Sequence, residues 1–197
     1  YIAQLAHHLN AEMAEAQHDL AGLREGLQHV KLIVASHQNI ATSSNFLEAA
    51  GLRSLVAESL VLVGASLDRH GIRVDVESGP DAMVVCDRAK LSQVLVNLLT
   101  NAKDALAAAG TSDPTLRIRF DLGSPRHVGV ELSDNGPGIG PEHRDRLFSK
   151  GFTTKPEGHG LGLHYCWLAV REMNGSLSLV PSNGTGATFR LELPAQA

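Results

Sequence analysis

Polar side chains recur at helical spacing in NLLTNAKDA, a segment of the second half of the chain. Asn97, Asn101 and Asp104 fall on one face of a helix, while the apolar residues between them fall on the other. Neutral amide oxygens suit a hard cation that is already surrounded by phosphate oxygens and water. An ordinary amphipathic helix with a solvated polar stripe has the same pattern, so this segment is informative only together with those that follow.

An aspartate beside glycines comes next, in DNGPG, where Asp134 is followed by Gly136 and Gly138. The two glycines permit a positive φ. The Asp134 carboxylate can accept a hydrogen bond from the exocyclic amine of adenine, which guanine lacks at that edge. It can also cap its own turn, a common role for Asp before Asn and Gly, and both roles can hold at once.

A third segment, GHGLGL, is rich in glycine and precedes an apolar helical stretch. Gly158, Gly160 and Gly162 remove side chains where a chain would approach a polyphosphate, and the start of the helix offers free N–H groups. No GK[ST] follows, so this is not a Walker P-loop, and such a run alone often marks only a tight turn. Just before it, Lys155 either pairs with a γ-phosphate or is solvated, and Thr153 and Thr154 can donate hydrogen bonds.

With GTGATF near the end of the chain, these segments stand in one order along the sequence. That order resembles the N box, the glycine boxes, the F box and the final glycine motif of histidine-kinase ATP-binding domains, from Leu52 onward. The resemblance implies a Bergerat-type fold, shared with type II topoisomerases, mismatch-repair ATPases and heat-shock chaperones. It also implies ATP and magnesium as cofactors, with ATP lying between the helices and a mobile lid.

The resemblance further assigns roles to single residues. Asn101 matches the magnesium ligand, Asp134 the adenine acceptor, and Thr188 a hydroxyl that helps to fix adenine through a shared water. Lys103 reaches the nucleotide or solvent. The F-box aromatics, Phe148 and Phe152, fasten the base of the lid to the core or the bundle. The predicted nucleotide-binding residues are Asn97, Asn101, Lys103, Asp104, Asp134, Gly136, Gly138, Ile139, Phe148, Thr153, Thr154, Lys155, Gly158, Gly160, Leu161, Gly162, Leu163 and Thr188.

Hydrophobic periodicity predicts the elements that position these residues. Asp87 is a predicted N-cap. Strands and helices are mixed along the chain without a regular βαβ repeat. This order predicts an α+β fold, a two-layer α/β sandwich. Helices are predicted at 52–67, 91–108, 141–148 and 161–173, and strands at 72–76, 83–86, 116–122, 128–132, 177–180 and 187–193.

The beginning of the chain has a different pattern, with apolar residues spaced alternately by four and three from Ile2 to Ala41. One helix cannot bury so long a seam alone. We expect it to form one strand of a dimeric four-helix bundle, or else to fold onto its own ATP domain. The predicted domains are therefore residues 1–45, the second helix of a dimerisation bundle, and residues 46–197, the ATP-binding domain; the intact protein is expected to be a homodimer.

A histidine kinase also needs an acceptor imidazole, usually followed by an acidic residue that orients and deprotonates the ring. In LAHHLN, His8 stands where the acid belongs. His18 is followed by Asp19 but lies too close to the ATP domain to leave room for a helical hairpin. We therefore expect the acceptor to lie upstream of Tyr1, with His18, and then His7 or His8, as alternatives.

Composition limits the classes of partner. A formal net charge of -4 without a basic run argues against nucleic acid and against a polybasic membrane patch. No apolar run approaches the ~20 residues that span a bilayer, and no signal or transit segment is evident, so a cytoplasmic location is expected. Cys86 and Cys166 are expected to be buried, reduced thiols.

These features predict the ATP-binding catalytic fragment of a sensor histidine kinase. It would transfer the γ-phosphoryl group of Mg-ATP to a histidine of the bundle, and from there to a response-regulator receiver domain. The alternatives are an ATPase clamp of the topoisomerase or chaperone type, a serine kinase of the anti-sigma-factor kind, and a binding module without activity. Asn97 stands where the clamps have a catalytic Glu, which argues against the first of these.

Overall fold

The structure is a computed structural model that describes residues 47–79, 81–121, 126–155, 158–181 and 186–196. The predicted dimerisation helix, residues 1–45, lies outside these ranges, as do His7, His8 and His18. The first two residues of GTGATF also lie outside them. The predictions for these segments therefore stay predictions.

Seven strands form two sheets in the described residues. The larger sheet has the order β2-β4-β5-β7-β6, in which β2 and β4 are parallel and the other pairs are antiparallel. The smaller sheet is the antiparallel pair of β1 and β3. The strands are β1 (Glu48–Gly51), β2 (Arg73–Val76), β3 (Met83–Cys86), β4 (Thr115–Asp121), β5 (His127–Asp134), β6 (Ser176–Val180) and β7 (Thr188–Pro194).

The helices are α1 (Leu52–Arg69), α2 (Arg88–Ala109), α3 (Pro141–Arg144) and α4 (Gly162–Glu172). Helix α2 packs against α1 and α4 and against strands β4 and β5 of the larger sheet. On β5 and β7, buried apolar residues alternate with more exposed ones, because successive strand residues point to opposite faces. The helices cover the apolar face, which confirms the predicted two-layer α+β sandwich.

Helix α2 is the centre of the hydrophobic core. Its buried residues recur at the three- and four-residue spacing of one helix face, and each buried leucine contributes about 1.5–3 kcal/mol to the stability of the fold. The polar side chains at 97, 101 and 104 lie at the edge of this face and are half-buried. The buried residues of α2 are Leu91, Val94, Leu95, Leu98, Leu99, Ala102 and Leu106.

Both ends of α2 are capped by local interactions. The Asp87 side chain accepts a hydrogen bond from the Lys90 amide at 3.1 Å, which confirms the predicted N-cap. Gly110 ends the helix in the left-handed conformation, with a φ of 58°. The helix begins at Arg88, directly after its cap, and so is longer than the predicted range.

Strand β1 and the end of α3 differ from the predictions. Glu48–Gly51 has little intrinsic strand preference, and it becomes a strand because it pairs with β3. The predicted helix 141–148 begins at Pro141 as expected, but its predicted end is wrong, because α3 ends at Arg144 and the chain continues as turns. There the Arg146 amide donates to the His143 carbonyl and the Ser149 amide to the Arg146 carbonyl, each three residues back.

The other elements agree with their predicted ranges to within a few residues. Cys86 and Cys166 are both buried free thiols, as expected. Among the described residues, no helix combines the length and the apolar character needed to cross a bilayer.

Removing the N-cap of α2 should weaken the fold as a whole, because this helix is its core. We expect Asp87→Ala to lower the free energy of unfolding by about 1 kcal/mol, since the Lys90 amide loses its partner. Urea unfolding followed by circular dichroism measures the change. Asp87→Asn keeps a capping oxygen and should retain most of the stability; equal losses in both variants would contradict the capping role.

Candidate functional site

Asp134 stands at the end of β5 with one carboxylate oxygen already bonded. Its Oδ1 accepts hydrogen bonds from the amides of Gly136 at 2.9 Å and Ala187 at 3.3 Å. Neither of these bonds uses Oδ2, so this oxygen is left to accept from another donor. Burial raises the pKa of Asp134, although the amides of Gly136 and Ala187 oppose this shift by favouring the charged form.

The turn after β5 and the turn before β7 are joined directly behind this carboxylate. The Gly186 amide donates to the Gly136 carbonyl at 2.8 Å, and the Asp134 amide donates to the Ala187 carbonyl at 2.9 Å. Gly186 has a φ of +77°, and a Cβ on it would lie 1.8 Å from the Asp134 carbonyl oxygen. Gly138, with a φ of +76°, approaches the Gly186 carbonyl in the same way. Glycine is therefore required on both sides of the junction.

Gly136 serves this site for another reason than the predicted one. Its φ is not positive, so the expected conformational role is wrong. A Cβ at this position would instead lie 2.9 Å from Asp134 Oδ1, where it would crowd the carboxylate. The absence of a side chain keeps the amide of Gly136 within hydrogen-bond distance of Asp134.

Thr188 is not brought to Asp134. Its hydroxyl pairs with the Ser133 hydroxyl at 2.9 Å, and these two residues are directly opposite each other on β7 and β5. Because side chains alternate along a strand, Thr188 lies on the other face of the sheet from Asp134. The main chain of Ala187, and not the Thr188 side chain, lies beside the carboxylate. The predicted contact of Thr188 with adenine through a shared water stays a prediction.

Asn135 has a positioning role that the sequence analysis missed. Its side chain accepts from the Thr115 amide at 2.8 Å and donates to the Asp113 carbonyl at 3.0 Å. These bonds tie the turn to the start of β4. An asparagine between Asp and Gly signals such a turn, but its partners lie about twenty residues away in the chain.

On α2, Asp104 lies between two ammonium groups. Its Oδ2 is 2.6 Å from Lys155 Nζ and its Oδ1 is 2.8 Å from Lys103 Nζ. Lys155 also donates to Asn101 Oδ1 at 3.2 Å. Burial acts to raise the pKa of Asp104, but the hydrogen bonds and charges of Lys103 and Lys155 outweigh it and hold the pKa below its ordinary value.

The oxygens of Asn101 and Asp104 fit a hard cation, because both already bind the single ammonium of Lys155. Magnesium at a nucleotide takes one or two protein oxygens and completes its shell with phosphate and water. Within the described ranges, no group of three or more His, Cys, Asp or Glu side chains is placed to hold a metal ion. A metal at this position would therefore depend on phosphate oxygens.

Asn97, one turn before Asn101, carries an unpaired buried donor. Its Oδ1 accepts from Gln93 at 3.3 Å, whereas its Nδ2 has no hydrogen-bond partner in the described structure. Burial raises the pKa of the neighbouring Cys166 thiol to about 12, so the sulfur stays protonated and offers the amide only a weak acceptor. A buried donor without a partner costs about 1–3 kcal/mol, which a bound ligand or water would relieve.

Three glycines around the start of α4, Gly158, Gly160 and Gly162, have different neighbours. Gly160 has a φ of +65°, and a Cβ there would lie 2.3 Å from the carbonyl carbon of Gly151. A Cβ on Gly158 would lie 2.3 Å from Thr153 Oγ1. A Cβ on Gly162 would have no neighbour within 4 Å. Gly158 and Gly160 thus allow the chain to pack on itself, and Gly162 alone leaves open space at the start of α4.

The start of α4 is held by the F-box segment. The His164 ring nitrogen Nδ1 lies 2.8 Å from the Phe148 carbonyl oxygen, a contact that the sequence analysis did not predict. Helix α4 has no side chain capping its first turn, which leaves N–H groups beside Leu161 and Gly162 for a ligand. The apolar residues Ile139, Phe148, Phe152 and Leu163 pack against the core.

Thr153 stabilises a local turn, and Thr154 lies on the surface. The Thr153 hydroxyl accepts from the Lys155 amide at 3.1 Å and so holds the turn that presents Lys155. Thr154 is exposed. Thr153 thus stabilises a turn in this structure, and its role in nucleotide binding stays a prediction.

The turn of Asp134 and the cluster of Asn101, Asp104 and Lys155 both border the C-terminal half of α2. A Cβ on Gly136 would lie 3.6 Å from Leu106 Cδ2 and 3.8 Å from the carbonyl carbon of Ala105. The turn of Asp134 thus rests on the residues that directly follow Asp104. Carboxylate, cation site and open helix start are the features that an adenine nucleotide with a metal requires.

Comparison with known proteins agrees with this geometry. Residues 86–197, more than half of the chain, match the family model of the histidine kinase-, DNA gyrase B-, and HSP90-like ATPases. The chain belongs to this family. Within the family it is of the histidine-kinase type, as its curated relatives and structural neighbours are sensor kinases.

Among curated relatives, the two-component sensor PprA of Pseudomonas aeruginosa is 37% identical over 83% of this chain and 18% of its own length. The sensor histidine kinase ZraS of Escherichia coli is 33% identical over 75% of this chain and 31% of its own length. The chain spans 18% to 39% of the length of the first curated relatives that it matches.

Solved structures show the same fold. The catalytic domain of histidine kinase ThkA has a TM-score of 0.67 at 29% identity, over 75% of this chain and 97% of that one. ThkA in complex with the response regulator protein TrrA has a TM-score of 0.68 at 26% identity, over 87% of this chain and 49% of that one.

Gly160 and Gly162 form a matched pair of test positions. We expect Gly160→Ala to lower the free energy of unfolding by at least about 2 kcal/mol, because the new methyl group meets the backbone of Gly151 and the φ is positive. Gly162→Ala should change it by less than about 1 kcal/mol, because the methyl group points into open space within a helix. Denaturant unfolding without nucleotide measures both; equal losses would contradict the assigned packing.

Proposed function

We propose that this chain is the ATP-binding catalytic part of a sensor histidine kinase, which transfers the γ-phosphoryl group of ATP to a protein histidine. The observation that carries the proposal is the fixed Asp134 carboxylate, with Oδ1 bonded to two amides and the turn beside it resting on the helix of Asn101 and Asp104. The membership of the chain in the ATPase family supports the use of ATP.

Adenine recognition is assigned to Asp134. With Oδ1 held by the amides of Gly136 and Ala187, Oδ2 accepts a hydrogen bond from the exocyclic amine. Guanine presents a carbonyl oxygen at this edge, which would face the carboxylate as a second acceptor. The site therefore selects ATP over GTP.

The phosphate end is assigned to α2 and the start of α4. Asn101 and Asp104 would hold magnesium, which when bound to the phosphates neutralises the charge that develops during phosphoryl transfer. The N–H groups at the start of α4 face the phosphates, and Gly162 keeps their approach open. The contribution of this chain to catalysis is thus to position the phosphoryl group and to exclude competing geometries.

The relatives support the proposed acceptor and partner. These are sensor kinases, and ThkA has been solved in complex with a response regulator. We assign the acceptor histidine to a dimerisation bundle of a homodimeric protein, upstream of Tyr1, with onward transfer to a receiver domain. His18, His7 and His8 are the alternatives within this chain.

Asp134→Asn should abolish detectable ATP binding in isothermal titration calorimetry with magnesium. The asparagine oxygen can keep the bonds to Gly136 and Ala187, but its NH₂ group then faces the adenine amine, so that two donors oppose each other. Asp145→Asn, at an exposed position after α3, is the control and should bind like the wild type. Unchanged affinity in the Asp134→Asn variant would remove the adenine assignment.

Transfer itself is tested with γ-labelled ATP and magnesium on a version of the protein extended N-terminal to Tyr1, beside the 197-residue chain. We expect acid-labile label on a histidine of the extended protein and little label on the chain alone. Mapping the labelled peptide by mass spectrometry identifies the residue. Acid-stable phosphoserine on a partner would select a serine kinase, and slow hydrolysis with ATP-dependent dimerisation would select a clamp.

A further inference from the structure

Lys155 places its ammonium on the same oxygens that are assigned to magnesium. Its Nζ lies 2.6 Å from Asp104 Oδ2 and 3.2 Å from Asn101 Oδ1, across more than fifty residues of sequence. The side chains of Lys155 and Asp104 are 45% and 33% exposed, so the contact is accessible to solvent. An ordinary surface ion pair would need only the carboxylate, whereas this ammonium also uses a neutral amide oxygen.

The other oxygen of Asp104 is already bonded to Lys103, at 2.8 Å. Lys155 is therefore the cation that occupies the position between Asn101 and Asp104. A metal ion binding the same two oxygens cannot share them with the ammonium, because the two cations would repel each other at close range. Metal and Lys155 must exclude each other there.

The local backbone allows this exchange without unfolding. The Lys155 amide donates to Thr153 Oγ1 at 3.1 Å, and the Lys155 carbonyl accepts from the Gly158 amide at 3.1 Å. The main chain at 155 is thus held by its own turn. Rotation about the four-carbon side chain suffices to carry the ammonium away from Asp104.

We propose that Lys155 is a tethered stand-in for magnesium: it neutralises Asp104 while the metal is absent and leaves Asn101 and Asp104 when the metal binds. This inference rests on the proposed nucleotide site and adds to it a built-in competitor. Without metal, the ammonium also offsets the charge of an incoming diphosphate, so nucleotide still binds. The structure thus gives Lys155 control over how strongly nucleotide affinity depends on magnesium.

The test compares Lys155→Met with Lys150→Met in the 197-residue chain. Lys150 is exposed and makes no hydrogen bond or ion pair with any described residue, so its variant controls for the loss of one positive charge. The dissociation constant of ADP is measured by calorimetry with 10 mM magnesium and again with a chelator. ADP is chosen because it lacks the γ-phosphate, with which Lys155 could otherwise pair.

We expect the ratio of the two dissociation constants, chelator over magnesium, to rise about threefold to fivefold in Lys155→Met and to stay at the wild-type value in Lys150→Met. The rise should come from weaker binding without metal, because Asp104 then loses the cation at Oδ2. Equal ratios in both variants would overturn the role of Lys155 while leaving the nucleotide site intact. No ADP binding to the wild type would instead overturn the proposed function, and this inference with it.

A second readout follows the ammonium directly. The Lys155 ¹⁵Nζ signal, assigned by its loss in Lys155→Met, should be protected from rapid exchange in the nucleotide-free chain. Magnesium with ADP should remove that protection, while the Lys103 signal stays protected. A Lys155 signal that does not respond to metal would contradict the exchange, even if the affinities changed.

Discussion

The site depends on a carboxylate that main-chain amides hold at the end of a strand. A half-buried, charged Asp134 would be unfavourable without partners, and the amides of Gly136 and Ala187 provide them. These two amides belong to turns that are about fifty residues apart in sequence and are joined by the Gly186 to Gly136 bond. The pairing of β5 with β7 therefore determines the position of the Asp134 carboxylate, and any loss of that register would displace it.

Helix α2 connects the proposed base end of the site to the proposed phosphate end. Its apolar face is the centre of the core, so the half-buried residues Asn97, Asn101 and Asp104 are placed by packing rather than by loops. The turn of Gly136 rests on Ala105 and Leu106, directly after the cation site. A single helix thus sets the spacing between the turn of Asp134 and the oxygens of Asn101 and Asp104, while Lys103 and Lys155 balance the charge of Asp104.

Local patterns were enough to predict most of this arrangement. Helical spacing placed Asn97, Asn101 and Asp104 on one face, and turn chemistry identified Asp134 and its glycines. The pairing of Thr188 with Ser133 was not predicted, because a motif gives the order of residues but not the face of the sheet on which each side chain lies. Likewise, the contact of Lys155 with Asp104 and that of His164 with Phe148 join distant segments, and no local spacing encodes them.

The two cysteines give this fold an internal measure of its own opening. Burial raises the pKa of Cys86 to about 11 and that of Cys166 to about 12, so neither forms a reactive thiolate while the fold is closed. Cys86 lies in the small sheet, and Cys166 lies in α4 against the carbonyl of Val94. Alkylation at each sulfur therefore reports separately on two regions of the molecule, and the thiol beside Asn97 reports on the wall of the proposed nucleotide site without an engineered cysteine.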